Sequence, residues 1–305
     1  MQKTSIQDLE KRLEKIEQEE EKSKIEDEFA KVLREYKGDD EVISFKDVGE
    51  LEKITAYSSG LQPLDEMLRG FHEGDLVVTT AATGQGKTSL LQTFTVNMHR
   101  KGIKSLWFTY EVPIQQLMTK FSELPDGYVP KMLRERSLIW IERKVVEAIV
   151  KFGVKAVYID PFNSLTRFTQ LNLSQELGDI AEGLKDIALK YKVIVFTSAH
   201  TRKLQENETM GVDSIRDTAL LGNKADTVLA IWRIPERQTK LDRKTNGVIY
   251  TRDTMISVVK NRFAGALGSF KVSYVKNSFV LPDISHYAEE EQANVPMNFF
   301  NEDQN

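Results

Sequence analysis

The sequence predicts an α/β domain built on a largely parallel sheet, entered through a helical arm and closed by antiparallel strands. Three observations predict it. From Ser58 to about Pro282, short apolar runs alternate with segments of helical period, the pattern of strand–helix–strand units. The run Ala81-Ala82-Thr83-Gly84-Gln85-Gly86-Lys87-Thr88 falls between one such strand and a helix, where a phosphate-cradling loop belongs. Toward the C-terminus the pattern becomes hairpin-like, with Asn246-Gly247 as a turn signal.

Residues 1–40 form the arm. Ile6, Leu9, Leu13 and Ile16 recur at helical spacing, and Phe29, Val32, Leu33 and Tyr36 resume the stripe after the acidic run Glu19-Glu20-Glu21. Its apolar face is too narrow for an independent domain. Either it is a solvated helix with a minor coiled-coil tendency, or it docks on a neighbouring subunit. Gly38-Asp39-Asp40 ends it, and 41–57 read as a linker. In the core, 58–282, strands are expected at 75–81, 104–109, 156–160, 193–198 and 227–232. Helices are expected at 89–100, after Pro113, and at 140–152 and 174–191. Antiparallel strands follow at 255–260, 269–275 and 279–281, and the basic stretch 233–252 reads as a solvated surface hairpin. The acidic, amide-rich residues 283–305 read as a loose tail.

Composition narrows the chemistry. The 305 residues contain no cysteine, which excludes a disulfide framework, a zinc ribbon and thiolate catalysis. The 4 histidines (72, 99, 200 and 286) lack HExxH spacing, so zinc-hydrolase chemistry is not expected. No stretch approaches the roughly 18 consecutive apolar residues of a membrane span, and the first residues carry no apolar signal core. A cytoplasmic protein with no membrane partner is expected. A net charge of −4 argues against coating nucleic acid over the whole surface but leaves room for a local basic channel.

The phosphate loop defines the candidate site. Backbone N–H groups of Thr83, Gly84, Gln85, Gly86, Lys87, Thr88 and Ser89, summed with the helix N-terminus, suit an anion. Lys87 would reach the β- and γ-phosphates, and Thr88 would offer its hydroxyl to Mg²⁺. Ala81 stands where a strict loop pattern has its first glycine. Asp160 ends an apolar strand, where an acidic residue holds the metal through water; the plainer reading is a cap or turn aspartate. Glu111, just past the strand 104–109, could orient or deprotonate an attacking water, or simply favour a helix dipole. His200 could sense the γ-phosphate or be an ordinary hydrogen-bonded histidine.

Taken in order, these motifs resemble the hexameric replicative DNA helicases with a RecA-like core, the DnaB, Twinkle and phage primase-helicase group. The likeness rests on Ser59-Gly60-Leu61 with Leu64-Asp65, Gly70, Glu73-Gly74-Asp75-Leu76, 81–88, 106–111, 198–203 and 259–265. Relatives often carry alanine where Ala81 stands. The resemblance implies that Glu111 is the catalytic glutamate and His200 the phosphate sensor. It also implies that Arg262, supported by Lys260, is an arginine finger reaching the next subunit's nucleotide, ATP or another NTP or dNTP. A forked, permanently charged guanidinium matches the charge spread over a transferring phosphoryl group. The plainer reading of Lys260 and Arg262 is a pair of edge-strand charges that deter aggregation.

Single-stranded DNA contacts are expected from two loops, through Arg167 on the first and Arg202, Lys203 and Arg216 on the second, with Asn223 beyond them. Asn223 stands where relatives often have glutamine, and Gly222 where the phage enzymes have a basic residue. A homo-hexamer or similar ring is implied, working with a separate primase and DNA polymerase, since the chain has no cysteines for a zinc-binding primase module and only 57 residues precede Ser58. A recombination ATPase of the RecA type would share the phosphate loop and Asp160 without combining 200–203 with 260–262. A non-translocating nucleotide-binding partner, such as a loader, would let Glu111 and Arg262 drift.

Overall fold

The structure is a computed structural model that describes residues 24, 27, 44–46, 55–133, 135–166, 173–201, 219–235 and 250–282. Apart from residues 24 and 27, the arm lies outside the described residues, as do most of the linker, the tail and the Asn246-Gly247 turn. The elements follow in order: β1 (Ala56–Tyr57), α1 (Gln62–Leu68), β2 (Phe71–His72), β3 (Leu76–Ala81), α2 (Lys87–His99), β4 (Ser105–Thr109), α3 (Ile114–Met118), β5 (Gly127–Tyr128) and α4 (Leu138–Phe152). After these come β6 (Ala156–Asp160), a 3₁₀ turn (Phe162–Leu165), α5 (Leu173–Tyr191), β7 (Ile194–His200), α6 (Ala219–Lys224), β8 (Thr227–Pro235), β9 (Tyr250–Asn261), β10 (Gly268–Val275) and β11 (Ser278–Val280).

Strands β3 to β11 form one nine-stranded sheet in the order β11-β10-β9-β8-β3-β7-β6-β4-β5. From β8 to β5 every pairing is parallel, while β9, β10 and β11 extend the sheet antiparallel. The expected fold class is therefore present in the described residues. Several elements escaped the sequence reading: the two-stranded β1–β2 ribbon, α1, β5, the 3₁₀ turn and α6.

Side chains alternate across each central strand and divide the core into two layers. Leu76, Val78, Leu106, Phe108, Val157, Ile159 and Val195 face α4 and α5, meeting Ile141, Val145, Leu177 and Leu184. Val77, Trp107, Tyr158, Ile194 and Phe196 face α1 and α2, meeting Leu64, Leu68, Leu90, Leu91 and Phe94. On the second face the rings of Trp107, Tyr158 and Phe196 stack across β4, β6 and β7 at 4.7 Å per step. Phe71 then packs edge-on to both Phe196 and Phe94. The Ser59-Gly60-Leu61…Asp65 motif has a local explanation: the Asp65 carboxylate accepts from Ser59 N at 2.7 Å and Ser58 Oγ at 2.5 Å, tying the entry of α1 to its own first turns.

Candidate nucleotide site

Four neighbouring strands build the site. β3, β7, β6 and β4 lie side by side and parallel, so their C-terminal ends share one edge of the sheet. Ala81 is level with His200, and Thr109 with Asp160. Ligands of open α/β sheets bind beyond this carboxyl edge.

The phosphate loop occupies the gap between β3 and α2. Gly84 (φ 77°) and Gly86 (φ 104°) take left-handed backbone, and a Cβ on Gly86 would come 3.0 Å from the Phe279 ring. Ala81, by contrast, is a fully buried residue at the end of β3, so an alanine side chain is accommodated where the strict pattern has glycine. Lys87 is the first residue of α2. Its Nζ donates to Ala81 O at 3.0 Å and Ala82 O at 3.2 Å and lies 3.2 Å from His200 Nδ1. Burial pushes the ammonium's pKa down, and the carboxylates of Asp160 and Glu111 pull it back up. A phosphate would offer this cation a stronger, charge-assisted partner than two carbonyls and an imidazole.

Thr88 Oγ1 donates to Asp160 Oδ2 at 2.7 Å, and the Ser198 hydroxyl donates to the other oxygen, Oδ1. A hydroxyl and a carboxylate, both hard oxygen donors, thus converge beside the loop, a set that suits Mg²⁺. Among the described residues no group of three or more His, Cys, Asp or Glu gathers as a metal cage. Mg²⁺ keeps waters and substrate phosphates among its ligands, so two protein oxygens would suffice. Glu111 is exposed and lines the same cavity of about 260 Å³ as Lys87, Thr88, Asp160, His200 and Lys120. The chain just before it is pinned by Tyr110 N donating to Asp160 O at 2.9 Å.

A second cavity of about 260 Å³ adjoins the loop, lined by Gln85, Ser89, Arg233, Thr254, Tyr274 and Phe279 among others. This corrects the expectation that 233–252 is a solvated surface hairpin. β8 continues to Pro235 and β9 begins at Tyr250, placing Arg233 in the sheet, where its N–H donates to Gln85 Oε1 at 2.7 Å. Residues 236–249 lie outside the described residues. The sequence reading missed Arg233, Thr254, Tyr274 and Phe279 because they join the loop only through strands far away in the chain. The available signal was the pair of aromatics, Tyr274 and Phe279, on two short strands near each other.

The other predicted residues lie elsewhere. Lys260, Arg262 and Asn223 gather at the opposite, amino edge of the sheet, where Asn261 pairs with Thr227. Lys260 Nζ donates to Gly222 O at 2.9 Å and Asn223 O at 2.7 Å. Arg262 donates from Nη1 to Asp226 Oδ1 at 3.0 Å and from Nη2 to Asn223 O at 3.2 Å. Burial and the neighbouring Arg262 charge push the Lys260 pKa down, and Asp226 opposes them. Arg167, Arg202, Lys203 and Arg216 lie outside the described residues. Among the described residues no helix is long and apolar enough to cross a membrane.

Parts of the chain are similar to known proteins. Residues 56–127, from β1 to the start of β5, match the family model of the DnaB-like helicase C terminal domain. The chain is 26% identical over 234 residues to the replicative DNA helicase DnaB of Mycoplasma pneumoniae, covering 63% of this chain and 49% of the relative. It thus spans about half the length of that relative. A shorter stretch of 122 residues is 41% identical to the circadian clock oscillator protein KaiC of Acaryochloris marina, covering 36% of this chain and 23% of the relative. Among solved structures, one described as a DnaB-like replicative helicase and its interactions with primase superposes with a TM-score of 0.62 at 17% identity, over 80% of this chain and 68% of that one. The fold is the RecA-like core of such helicases.

Proposed function

We propose that this chain, similar to DnaB-like helicases over residues 56–127 and in its fold, is an ATP-dependent replicative DNA helicase that assembles into a ring and hydrolyses nucleotide between subunits. The observation that carries the reading is the separation of its two halves of chemistry. Lys87, Thr88, Glu111, Asp160 and His200 surround one cavity at the carboxyl edge, whereas Arg262 stands at the amino edge. β3 alone puts five residue steps between Leu76, beside Asp226, and Ala81, or about 16 Å at strand rise. Arg262 is therefore out of reach of its own phosphates, and a place at a nucleotide requires a neighbouring copy.

Each residue then has a task. The loop N–H groups and Lys87 bind and hold the β- and γ-phosphates, and Thr88 with Asp160 would hold Mg²⁺, which supplies charge neutralisation at the phosphates. Glu111 orients a water for in-line attack and takes its proton. His200, bonded to Lys87, registers whether the γ-phosphate is present. The second cavity accepts the base, with Tyr274 and Phe279 as apolar surface. Arg262 of the adjoining subunit stabilises the charge that develops on the transferring group. Basic residues of 163–173 and 202–216 contact single-stranded DNA phosphates without reading sequence. The arm, 1–40, docks on the neighbour, and a primase and a DNA polymerase act with the ring.

A stretch of 122 residues is also similar to KaiC, a circadian clock oscillator protein, so helicase activity must be tested directly. Purified protein under assembling conditions should show NTP hydrolysis stimulated by single-stranded DNA and should displace a strand from a forked duplex. Hydrolysis without DNA stimulation or strand displacement would favour a recombinase-like or loader-like role. Mixing Arg262→Ala subunits with Glu111→Ala subunits should restore part of the activity at hybrid interfaces; no recovery at any ratio would refute hydrolysis between subunits.

A further inference from the structure

Asp226 lies between α6 and β8 and belongs to none of the phosphate-loop machinery, yet it gathers several polar contacts at the amino edge. It is 6% exposed. Its Oδ2 accepts from Leu76 N at 2.8 Å and from Lys185 Nζ at 2.6 Å, which fixes the carboxylate to the first residue of β3 and to α5. Its Oδ1 is turned the other way, toward Arg262 Nη1 at 3.0 Å. The main chain repeats the link, since Arg262 N donates to Asp226 O at 2.8 Å and Asp226 N to Leu76 O at 2.9 Å.

We infer that Asp226, together with the Asn223 carbonyl at the end of α6, is the positioning seat of Arg262. It holds the guanidinium at the angle from which it meets a nucleotide bound by a second copy of this chain. A guanidinium carries five N–H donors in a rigid fork. Asp226 and Asn223 engage one donor on each of two nitrogens, and the side chain remains 52% exposed. Two fixed points on one edge of a planar group set its orientation while the rest faces outward. Lys260, donating to the Gly222 and Asn223 carbonyls, secures the end of α6 that supplies the second point. The residue acts through Arg262 and touches no phosphate. This inference rests on the trans role of Arg262 proposed above.

Asp226→Asn is the informative variant. The amide keeps one oxygen able to accept from Leu76 N and Lys185, and places an N–H₂ donor against Arg262 Nη1, so the seat is lost while the buried contacts are largely kept. The kcat for NTP hydrolysis by assembled protein should fall on the order of ten- to a hundredfold, the scale of a catalytic group displaced by about 1 Å, with KM within about threefold of wild type. Placed in an Arg262→Ala chain, whose residual hydrolysis is followed with radiolabelled nucleotide, the same change should cause no further loss. If Asp226→Asn does not fold, Asp226→Glu keeps the carboxylate but lengthens it by one methylene, and should lower kcat about tenfold by the same logic. Wild-type kcat in the folded Asp226 variants, or an equal additional loss in the Arg262→Ala background, would overturn the inference and leave the trans finger standing. Wild-type kcat in Arg262→Ala alone would remove both.

Discussion

Lys87 Nζ sits 3.2 Å from His200 Nδ1, so the first residue of α2 and the last residue of β7 meet at the mouth of the phosphate loop. A charged lysine can only donate, which makes Nδ1 the acceptor and leaves the proton of a neutral ring on Nε2. An incoming γ-phosphate would draw Lys87 away from the ring and release His200 to report the change along β7. His200→Ala should therefore lower kcat by about tenfold or more while leaving nucleotide affinity within about threefold, whereas Lys87→Ala should reduce hydrolysis at least about 10²-fold, the scale seen when a charge-stabilising donor is removed. Steady-state phosphate release, set beside titration with a fluorescent nucleotide, separates the two.

The bond of 2.7 Å between Thr88 Oγ1 and Asp160 Oδ2 brings together the two groups that would hold Mg²⁺. Chelation with EDTA should abolish hydrolysis and restoring Mg²⁺ should recover it. Asp160→Asn should raise the Mg²⁺ concentration needed for half-maximal rate by about tenfold, equivalent to roughly 1.4 kcal/mol. A Mg²⁺ requirement unchanged by that substitution would remove Asp160 from the metal site.

Legibility in the sequence followed contact range. The phosphate loop was readable because strand, glycines, Lys87 and Thr88 are contiguous and their chemistry is local. The central strands were readable because residues such as Val157, Tyr158 and Ile159 are buried on both faces and form unbroken apolar runs. Asp160 and Glu111 could be named from their places at strand ends, but their meeting with Lys87 depends on the order β3-β7-β6-β4, which no local signal encodes. Tyr274 and Phe279 were missed for the same reason. Phe279 N donates to Thr93 Oγ1 at 3.0 Å across 186 residues of chain, and this contact helps hold β11 against α2, with the Phe279 ring beside Gly86. Asp226 was not singled out in the sequence, because its partners Leu76, Lys185 and Arg262 converge on it only in the fold.

The Tyr274 and Phe279 rings, 5.1 Å apart on paired strands, give the second cavity its apolar wall beside Gly86. Stacking of a base on an aromatic side chain contributes about 1–3 kcal/mol. Tyr274→Ala should therefore raise the KM for nucleotide by about tenfold with kcat nearly unchanged, because base contacts are equal in ground and transition states. Inorganic triphosphate, which has no base, should bind wild type and variant alike. Equal nucleotide KM in the two proteins would place the base elsewhere.

Tyr158 tests the scaffold separately from the chemistry. Its ring is fully buried and sandwiched between Trp107 and Phe196 at 4.7 Å on each side, while its hydroxyl meets Met98 Sδ at 3.5 Å. Burial holds the phenol far above its usual pKa, so it stays neutral at any working pH. Removing the ring leaves a cavity in the layer that joins β4, β6 and β7, the three strands that carry Glu111, Asp160 and His200 to the site. Tyr158→Ala should cost about 3–5 kcal/mol in urea unfolding. Tyr158→Phe keeps the stack and forfeits the hydroxyl's contacts with Met98 Sδ and Thr95, so it should cost less than about 1.5 kcal/mol, the scale of a typical net hydrogen bond. Nucleotide affinity per folded molecule should match wild type in the Phe variant. A large stability loss in that variant would mean that the hydroxyl, and not the stacked ring, holds this layer together.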